Sequence, residues 1–306
     1  MITRAKSPRA LLDAVGNTPL VDLSFLAPAG VTLSAKLESV NPNGSLKDRP
    51  VARMITRALE DGRLDGGRRL LDSSSGNAGI AYAAFGAALG VPVTLVVPGN
   101  ASRERIERMR AHGAEVILTD PLEGYDFAIE KARELAASHP ERYWYCNQYE
   151  NPDNARAHYE GTGREIVEAF ATHGGAPDAF VCGIGTGGSL TGIGHRLREA
   201  NPRVHVVAVI PERFPGVEGL KPLGAPGDLV PRVLDAALID ERAGVTIEEA
   251  LAACALLARA GIFAGPSSGA YVHTALALAR SGRYRRIVTL LCDTGERYVS
   301  TGMWER

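Results

Sequence analysis

The chain has 306 residues, more than one domain of ordinary size requires, so two packed domains or one large α/β domain are the starting expectations. Its 45% hydrophobic residues, 23% charged residues and 34 glycines describe a globular protein and argue against disordered, fibrous and membrane-spanning classes. With 34 basic against 35 acidic residues, a formal net charge of −1, no global field is available to hold a nucleic acid.

In chain order, seven short apolar or β-branched runs read as strands: 31–38, 68–74, 91–98, 114–120, 179–185, 204–211 and 285–293. Apolar residues at three- and four-residue spacing predict amphipathic helices over 49–61, 78–89, 102–112, 125–138, 161–173, 189–200, 246–260 and 270–281. Strands alternating with helices define an α/β protein whose sheets are mainly parallel, twisted and flanked by helices. The turn-rich stretch Tyr145–Asn154 is the expected boundary between two domains. The longest loop, Pro211–Arg232, is rich in Pro and Gly and reads as a lid or a connector.

Cys146, Cys182, Cys254 and Cys292 are widely spaced, show no C-x-x-C pattern, and read as reduced, buried thiols. The opening MITRAKSPRALLDAVGNTPL holds no apolar signal-peptide core, and no apolar run reaches membrane-span length. A cytoplasmic protein without membrane or metal partners is the expectation. The histidines show no H-x-x-x-H spacing.

Four loops carry chemical signals. In NPNGSLKDRP (41–50), between a strand and a helix, Ser45 is placed to cap the helix and Lys47 to lie in its first turn. The positive end of the helix macrodipole favours a neutral amine there, the form a nucleophilic lysine needs. Lys47 is one of only five lysines among the 34 basic residues. A surface lysine balanced by Asp48 is the alternative at this point. SSSGNAG (73–79) gathers hydroxyls, glycines and an asparagine at a helix N-terminus, a site for a small anion such as a carboxylate, or simply a cap. GIGTGGSLTG (183–192) follows a strand and opens a helix, as phosphate-binding loops do. It also matches G-x-G-x-x-G through Gly183, Gly185 and Gly188, with Glu212 after the next strand, which keeps an NAD-dependent dehydrogenase open. GPSSGA (265–270) reads by itself as a turn and cap before a helix.

Together and in this order the loops resemble the pyridoxal-phosphate enzymes of fold type II, the cysteine synthase and cystathionine β-synthase family. The resemblance runs from GNTPL (16–20) through KLE (36–38), the lysine loop, SSSGNAG, NPDN (151–154), GTG (161–163) and GTGGSLTG to SSGA and STG (300–302). It implies a tryptophan synthase β-like fold. A larger cofactor-phosphate-binding domain would comprise 1–35 plus 146–306, and a smaller substrate-binding domain would comprise 36–145.

The resemblance further implies pyridoxal 5'-phosphate held as an internal aldimine by Lys47. Asn77 would bond its phenolic oxygen, Gly185, Thr186, Gly187, Gly188 and Ser189 its phosphate, and Ser267 its pyridine nitrogen. Ser74, Ser75, Gly76, Ala78 and Gln148 match the positions that grip the amino-acid carboxylate. The implied reaction is β-replacement on an activated serine through an aminoacrylate, with ping-pong kinetics. 2,3-Diaminopropionate synthase, cystathionine β-synthase and serine/threonine dehydratase share the same cofactor residues and stand as alternatives. Relatives are typically homodimers.

Two features of the sequence qualify the resemblance. The usual T-S-G-N-T loop reads S-S-G-N-A, so Ala78 lacks a hydroxyl donor worth about 0.5–1.5 kcal/mol. KDRP, NPDNARAHYEGTG and the STG near the end look most like the cysteine synthases that take O-phosphoserine, with sulfur from a thiocarboxylated carrier protein rather than sulfide. In that subgroup a basic residue meets the substrate phosphate, and Lys221 occupies the matching position.

Overall fold

The computed structural model describes residues 10–172, 175–302 and 304. The first nine residues, read above for a targeting signal, and His173, placed above at a helix end, lie outside the described residues. The described strands are, in chain order, β1 (Leu20–Asp22), β2 (Thr32–Leu37), β3 (Arg69–Ser73), β4 (Val93–Pro98) and β5 (Glu115–Thr119). They continue with β6 (Tyr143–Tyr145), β7 (Ala179–Gly183), β8 (His205–Pro211), β9 (Glu241–Val245) and β10 (Arg286–Leu291). The chain divides into two compact units, the first holding the residues up to Val15, Asn41–Asn43 and Lys47–Asp153, the second Gly16–Val40, Gly44–Leu46 and the residues from Asn154 onward.

The first unit is built on a parallel sheet in the order β5-β4-β3-β6. Side chains alternate across a strand, and β3 uses both faces: Leu70 packs with Ile55, Tyr82 and Phe85, whereas Leu71 packs with Val96, Ala128 and Ala132. Helices Asp48–Glu60, Asn77–Leu89 and Arg103–Ala111 therefore cover one face and Gly124–Ser138 the other. Helix Asn77–Leu89 seats directly on the sheet, because a Cβ at Gly86 would run into Val93.

The second unit has a six-stranded sheet ordered β1-β2-β10-β7-β8-β9, parallel except for β1. Phe180, Val206, Leu257, Val272 and Leu290 lie in its core. Helix Ile247–Arg259 starts with a reciprocal capping box between Thr246 and Glu249. A buried ion network joins two of the signature segments: Lys36 Nζ meets Glu165 at 2.7 Å and donates to the Thr18 hydroxyl at 2.8 Å, and that hydroxyl donates to Glu38 at 2.7 Å. Charges this deeply buried are tolerable because they are paired and hydrogen-bonded.

The seven predicted strands are present, each within two residues of its expected ends. β1, β6 and β9 escaped prediction because they are short edge strands or, in Glu241–Val245, carry charged residues and glycine. Tyr143–Tyr145 pairs with β3 and buries Tyr143. The helix predicted over 161–173 is interrupted: a π-turn spans His158–Gly163, and the α-helix runs Arg164–Ala171. Here two helices meet backbone to backbone. A Cβ at Gly192 would collide with the carbonyl of Ala155, and one at Gly163 would lie 2.8 Å from Arg196 Cβ.

Candidate active site

Each unit carries its own group of the residues singled out in the sequence. In the first, Lys47 is half-buried and is itself the N-cap residue of helix Asp48–Glu60 rather than a member of its first turn. Ser45 does not cap that helix. It belongs to the second unit, where it forms an isolated antiparallel bridge with Asp293. The loop is closed instead by Asp48, whose carboxylate accepts the Asn43 N–H at 2.5 Å. The carboxylate also complements the positive end of the helix.

The SSSGNAG loop leaves the end of β3 and enters helix Asn77–Leu89 with Gly76 as N-cap. Ser74 organises it. Its hydroxyl accepts the backbone N–H of Gly79 at 2.8 Å and of Gly76 at 3.3 Å, so two of the helix's early donors are satisfied. Ser75, Gly76 and Asn77 are half-buried at the positive helix end, where backbone donors and the dipole together suit a carboxylate. Ala78 turns its methyl into the core beside Leu70 and Tyr82.

Gln148 is brought to the same strand end from 76 residues away: its backbone N–H donates to Asp72 Oδ2 at 3.2 Å. Its side-chain amide donates to the Ser73 carbonyl at 2.9 Å, which also accepts from the Tyr125 hydroxyl at 2.9 Å. Asp72 is fully buried and also accepts from the Tyr82 hydroxyl at 2.6 Å and the Ser73 N–H at 2.8 Å. Burial raises its carboxyl from 3.8 to about 6, against the lowering effect of these three donors.

In the second unit, β7 runs into Gly183–Gly187 and then helix Gly188–Ala200. Gly187, the N-cap, has φ +85°, and a Cβ there would lie 2.7 Å from Leu234 Cβ. Only glycine fits that turn at low cost. At Gly185 a Cβ would lie 2.6 Å from the Gly219 carbonyl. Thr186 and Ser189 are buried hydroxyls on the same turn. Asn154 holds this loop by donating its amide to Thr186 Oγ1 at 2.9 Å, and a Cβ at Gly188 would collide with its carboxamide. Nothing in the NPDN segment (151–154) by itself points to this role.

The GPSSGA segment is more than a cap before a helix: the helix begins at Pro266, so buried Ser267 lies in its first turn. Ser268 accepts the Cys292 N–H at 2.8 Å. Lys221 is half-buried, and its backbone N–H donates to the Ile184 carbonyl at 2.7 Å, which places residue 221 next to the glycine loop. Within the Pro211–Arg232 loop, Asp228 ties the turn by accepting from Arg213 at 2.8 Å and from the N–H groups of Gly224 and Ala225. Glu212 is no ribose ligand. Its carboxylate accepts the Ile247 N–H at 2.8 Å, at the start of the next helix.

Residues 11–293 match the family model of the pyridoxal-phosphate dependent enzymes. The chain is 43% identical to the cysteine synthase of Aquifex aeolicus over 312 aligned residues, covering 98% of this chain and 93% of that one. It is 39% identical to cysteine synthase B of Pseudomonas aeruginosa over 299 residues, covering 96% and 97% of the two chains. An O-ureido-L-serine synthase structure superposes with a TM-score of 0.88 at 38% identity, covering 96% and 94%. The cysteine synthase of Entamoeba histolytica superposes with a TM-score of 0.89 at 31% identity, covering 100% and 93%. Two α/β units with these loops define a fold type II enzyme. The chain belongs to the pyridoxal-phosphate dependent enzyme family, and its cofactor is pyridoxal 5'-phosphate.

The donor sets fit that group. A left-handed glycine at a helix N-terminus, with two buried hydroxyls beside it, has the donors that an anion such as a phosphate needs. A lysine stands at another helix N-terminus, and a neutral serine opens a third. The dehydrogenase alternative rested on the glycine spacing and the place of Glu212, and family membership together with the capping role of Glu212 overturns it.

Proposed function

We propose that the protein is a cysteine synthase, replacing the β-substituent of an activated serine with a sulfur nucleophile. The observation that carries this reading is its end-to-end similarity to enzymes named cysteine synthase, with a lysine kept at the N-terminus of helix Asp48–Glu60. Bound pyridoxal phosphate supplies the electron sink for the pair left at the substrate α-carbon.

Lys47 is the residue that tethers the cofactor, and its Nζ takes and returns the α-proton. Gly185, Thr186, Gly187, Gly188 and Ser189 would hold the phosphate, Asn77 would bond the phenolic oxygen, and Ser267 would serve the pyridine nitrogen. A neutral hydroxyl leaves that nitrogen unprotonated, which favours β-elimination and replacement over transamination. Ser74, Ser75, Gly76 and Ala78 bind the substrate carboxylate with Gln148, Ala78 through its backbone because its methyl is in the core.

Lys221 is the residue that would select O-phosphoserine over O-acetylserine, an ammonium serving as a point charge for the phosphate. Sulfide or a carrier-protein thiocarboxylate would supply the sulfur. We read the enzyme as a cytoplasmic homodimer; among the described residues no helix is long and apolar enough to cross a membrane.

The test is product analysis with O-acetylserine, O-phosphoserine and sulfide, together with the absorption spectrum. Cysteine formation and a visible cofactor band that is lost in Lys47→Ala support the reading. A wild type that binds the cofactor but eliminates the β-substituent of neither donor refutes it.

A further inference from the structure

The mechanism above uses Gln148 and the SSSGNAG loop, yet the group that joins them is a carboxylate it does not use. Asp72 is the penultimate residue of β3, with 0% exposure. Its Oδ1 accepts the Ser73 N–H, and its Oδ2 accepts both the Tyr82 hydroxyl and the Gln148 N–H. The Gln148 amide returns to the Ser73 carbonyl, so residue 148 is fastened to the strand end at two points. The substrate loop begins at the next residue, Ser74, whose own N–H is held by the Val96 carbonyl at 3.1 Å. Asp72 thus fixes the distance between the two elements assigned to the substrate carboxylate.

We propose that Asp72 is a positioning residue for substrate binding, and that its ionised form is the one that holds Gln148 in place. This inference rests on the carboxylate-binding role given to Gln148 above.

The donors around Asp72 make the consequence of protonation specific. A carboxylate accepts from all three, but a protonated carboxyl must place its own O–H against an acceptor. Tyr82 can rotate its hydroxyl and accept. The backbone N–H groups of Ser73 and Gln148 cannot reverse, and the Gln148 bond is the longest of the three. Gln148 is therefore the donor released.

The titratable groups facing Asp72 are Tyr82 from helix Asn77–Leu89, Tyr125 from helix Gly124–Ser138, and Tyr145, Cys146 and Tyr149 from β6 and the turn after it. Burial pushes every one of these upward, so all stay neutral in the acid and neutral range. Asp72 is the member of this cluster that changes charge there, in the region of its raised value of about 6.

The test is the dissociation constant of L-serine for the holoenzyme, measured by calorimetry across the acid-to-neutral range, with cofactor loading checked by absorbance. Asp72→Asn should weaken serine binding about tenfold at neutral pH, with loading and kcat little changed. In the wild type, affinity should fall as pH drops through the Asp72 transition, and in the variant that fall should disappear. Tyr82→Phe removes a donor to Asp72 without touching Gln148, so it should move the wild-type transition upward in pH and leave affinity intact above that transition.

Equal serine affinity in wild type and Asp72→Asn overturns the inference. Should Asp72→Asn not fold, an unmoved transition in Tyr82→Phe overturns it instead. A wild type that binds serine but eliminates the β-substituent of neither donor defeats the proposed reaction and leaves this test intact. A wild type that binds no serine defeats the inference through Gln148.

Discussion

The side-chain amide of Asn154 donates to the hydroxyl of Thr186 at 2.9 Å, and both side chains are buried. The pair joins the start of helix Pro152–Ala157 to the glycine loop after β7, and the neighbouring Gly188 has no room for a side chain because Asn154 lies there. Asn154 thereby orients a hydroxyl in the turn assigned to the cofactor phosphate.

Asn154→Ala leaves Thr186 Oγ1 without this donor and opens a gap beside Gly188. The loss should cost about 1 kcal/mol in stability and weaken cofactor binding roughly three- to tenfold. Fluorescence titration of apoprotein with pyridoxal phosphate measures it; an unchanged dissociation constant would show that the hydroxyl's orientation does not matter.

Ser74→Ala removes the acceptor for both the Gly79 and Gly76 N–H groups. An N-terminal capping loss of this kind costs about 1 kcal/mol, read from urea unfolding. Because the same loop is assigned to the substrate carboxylate, KM for the amino-acid substrate should rise more than kcat falls. A variant that loses only stability would remove Ser74 from substrate binding.

Lys221→Ala should separate the two candidate donors. Loss of a charged partner for a phosphate is worth a charge-assisted hydrogen bond, so kcat/KM for O-phosphoserine should fall about tenfold or more while that for O-acetylserine stays within about twofold. Equal losses on both substrates would end the assignment.

The stability of the protein should carry the signature of Asp72. Its carboxyl is lifted from 3.8 to about 6, so the folded state holds the proton more tightly than the unfolded chain. Its stabilising contribution is complete below 3.8 and is lost as pH rises through about 6. Replacing Asp72 by Asn removes that dependence. The difference in unfolding free energy between variant and wild type should therefore shift in the variant's favour by on the order of 2–3 kcal/mol across this window. Urea melts at several pH values measure it, and parallel curves for the two proteins would contradict the burial of an ionisable group at this position.

The alternation of apolar runs and amphipathic stretches revealed seven of the ten described strands and the α/β class, since parallel strands covered on both faces read as continuous apolar segments. The glycine loop was equally legible: Gly187 has the left-handed φ of +85° that a glycine-rich turn before a helix suggests. Other local expectations failed for identifiable reasons. Ser45 looked like a cap because of its spacing from the helix, but its backbone pairs with Asp293, 248 positions later. Glu212 looked like a ribose ligand by its position after β8, but it serves the N–H of Ile247. Gly163 and Gly192 fall within the helices expected over 161–173 and 189–200, and the near-contact of two helix backbones accounts for them.

The serine-rich loop and the glycine turn were legible in the linear text as helix-opening loops, because each depends on neighbours within one strand-to-helix junction and on that helix's N-terminal donors; the roles given to Lys47 and Ser267 came from the order of all four loops together. Asp72 with Gln148, and Asn154 with Thr186, were not, because their partners lie 76 and 32 residues apart and meet only when strands and helices pack. Residue types along the chain determined which loops carry reactive chemistry; packing decided which buried side chains hold those loops in shape, because a hydrogen bond between distant segments leaves no local pattern in the sequence.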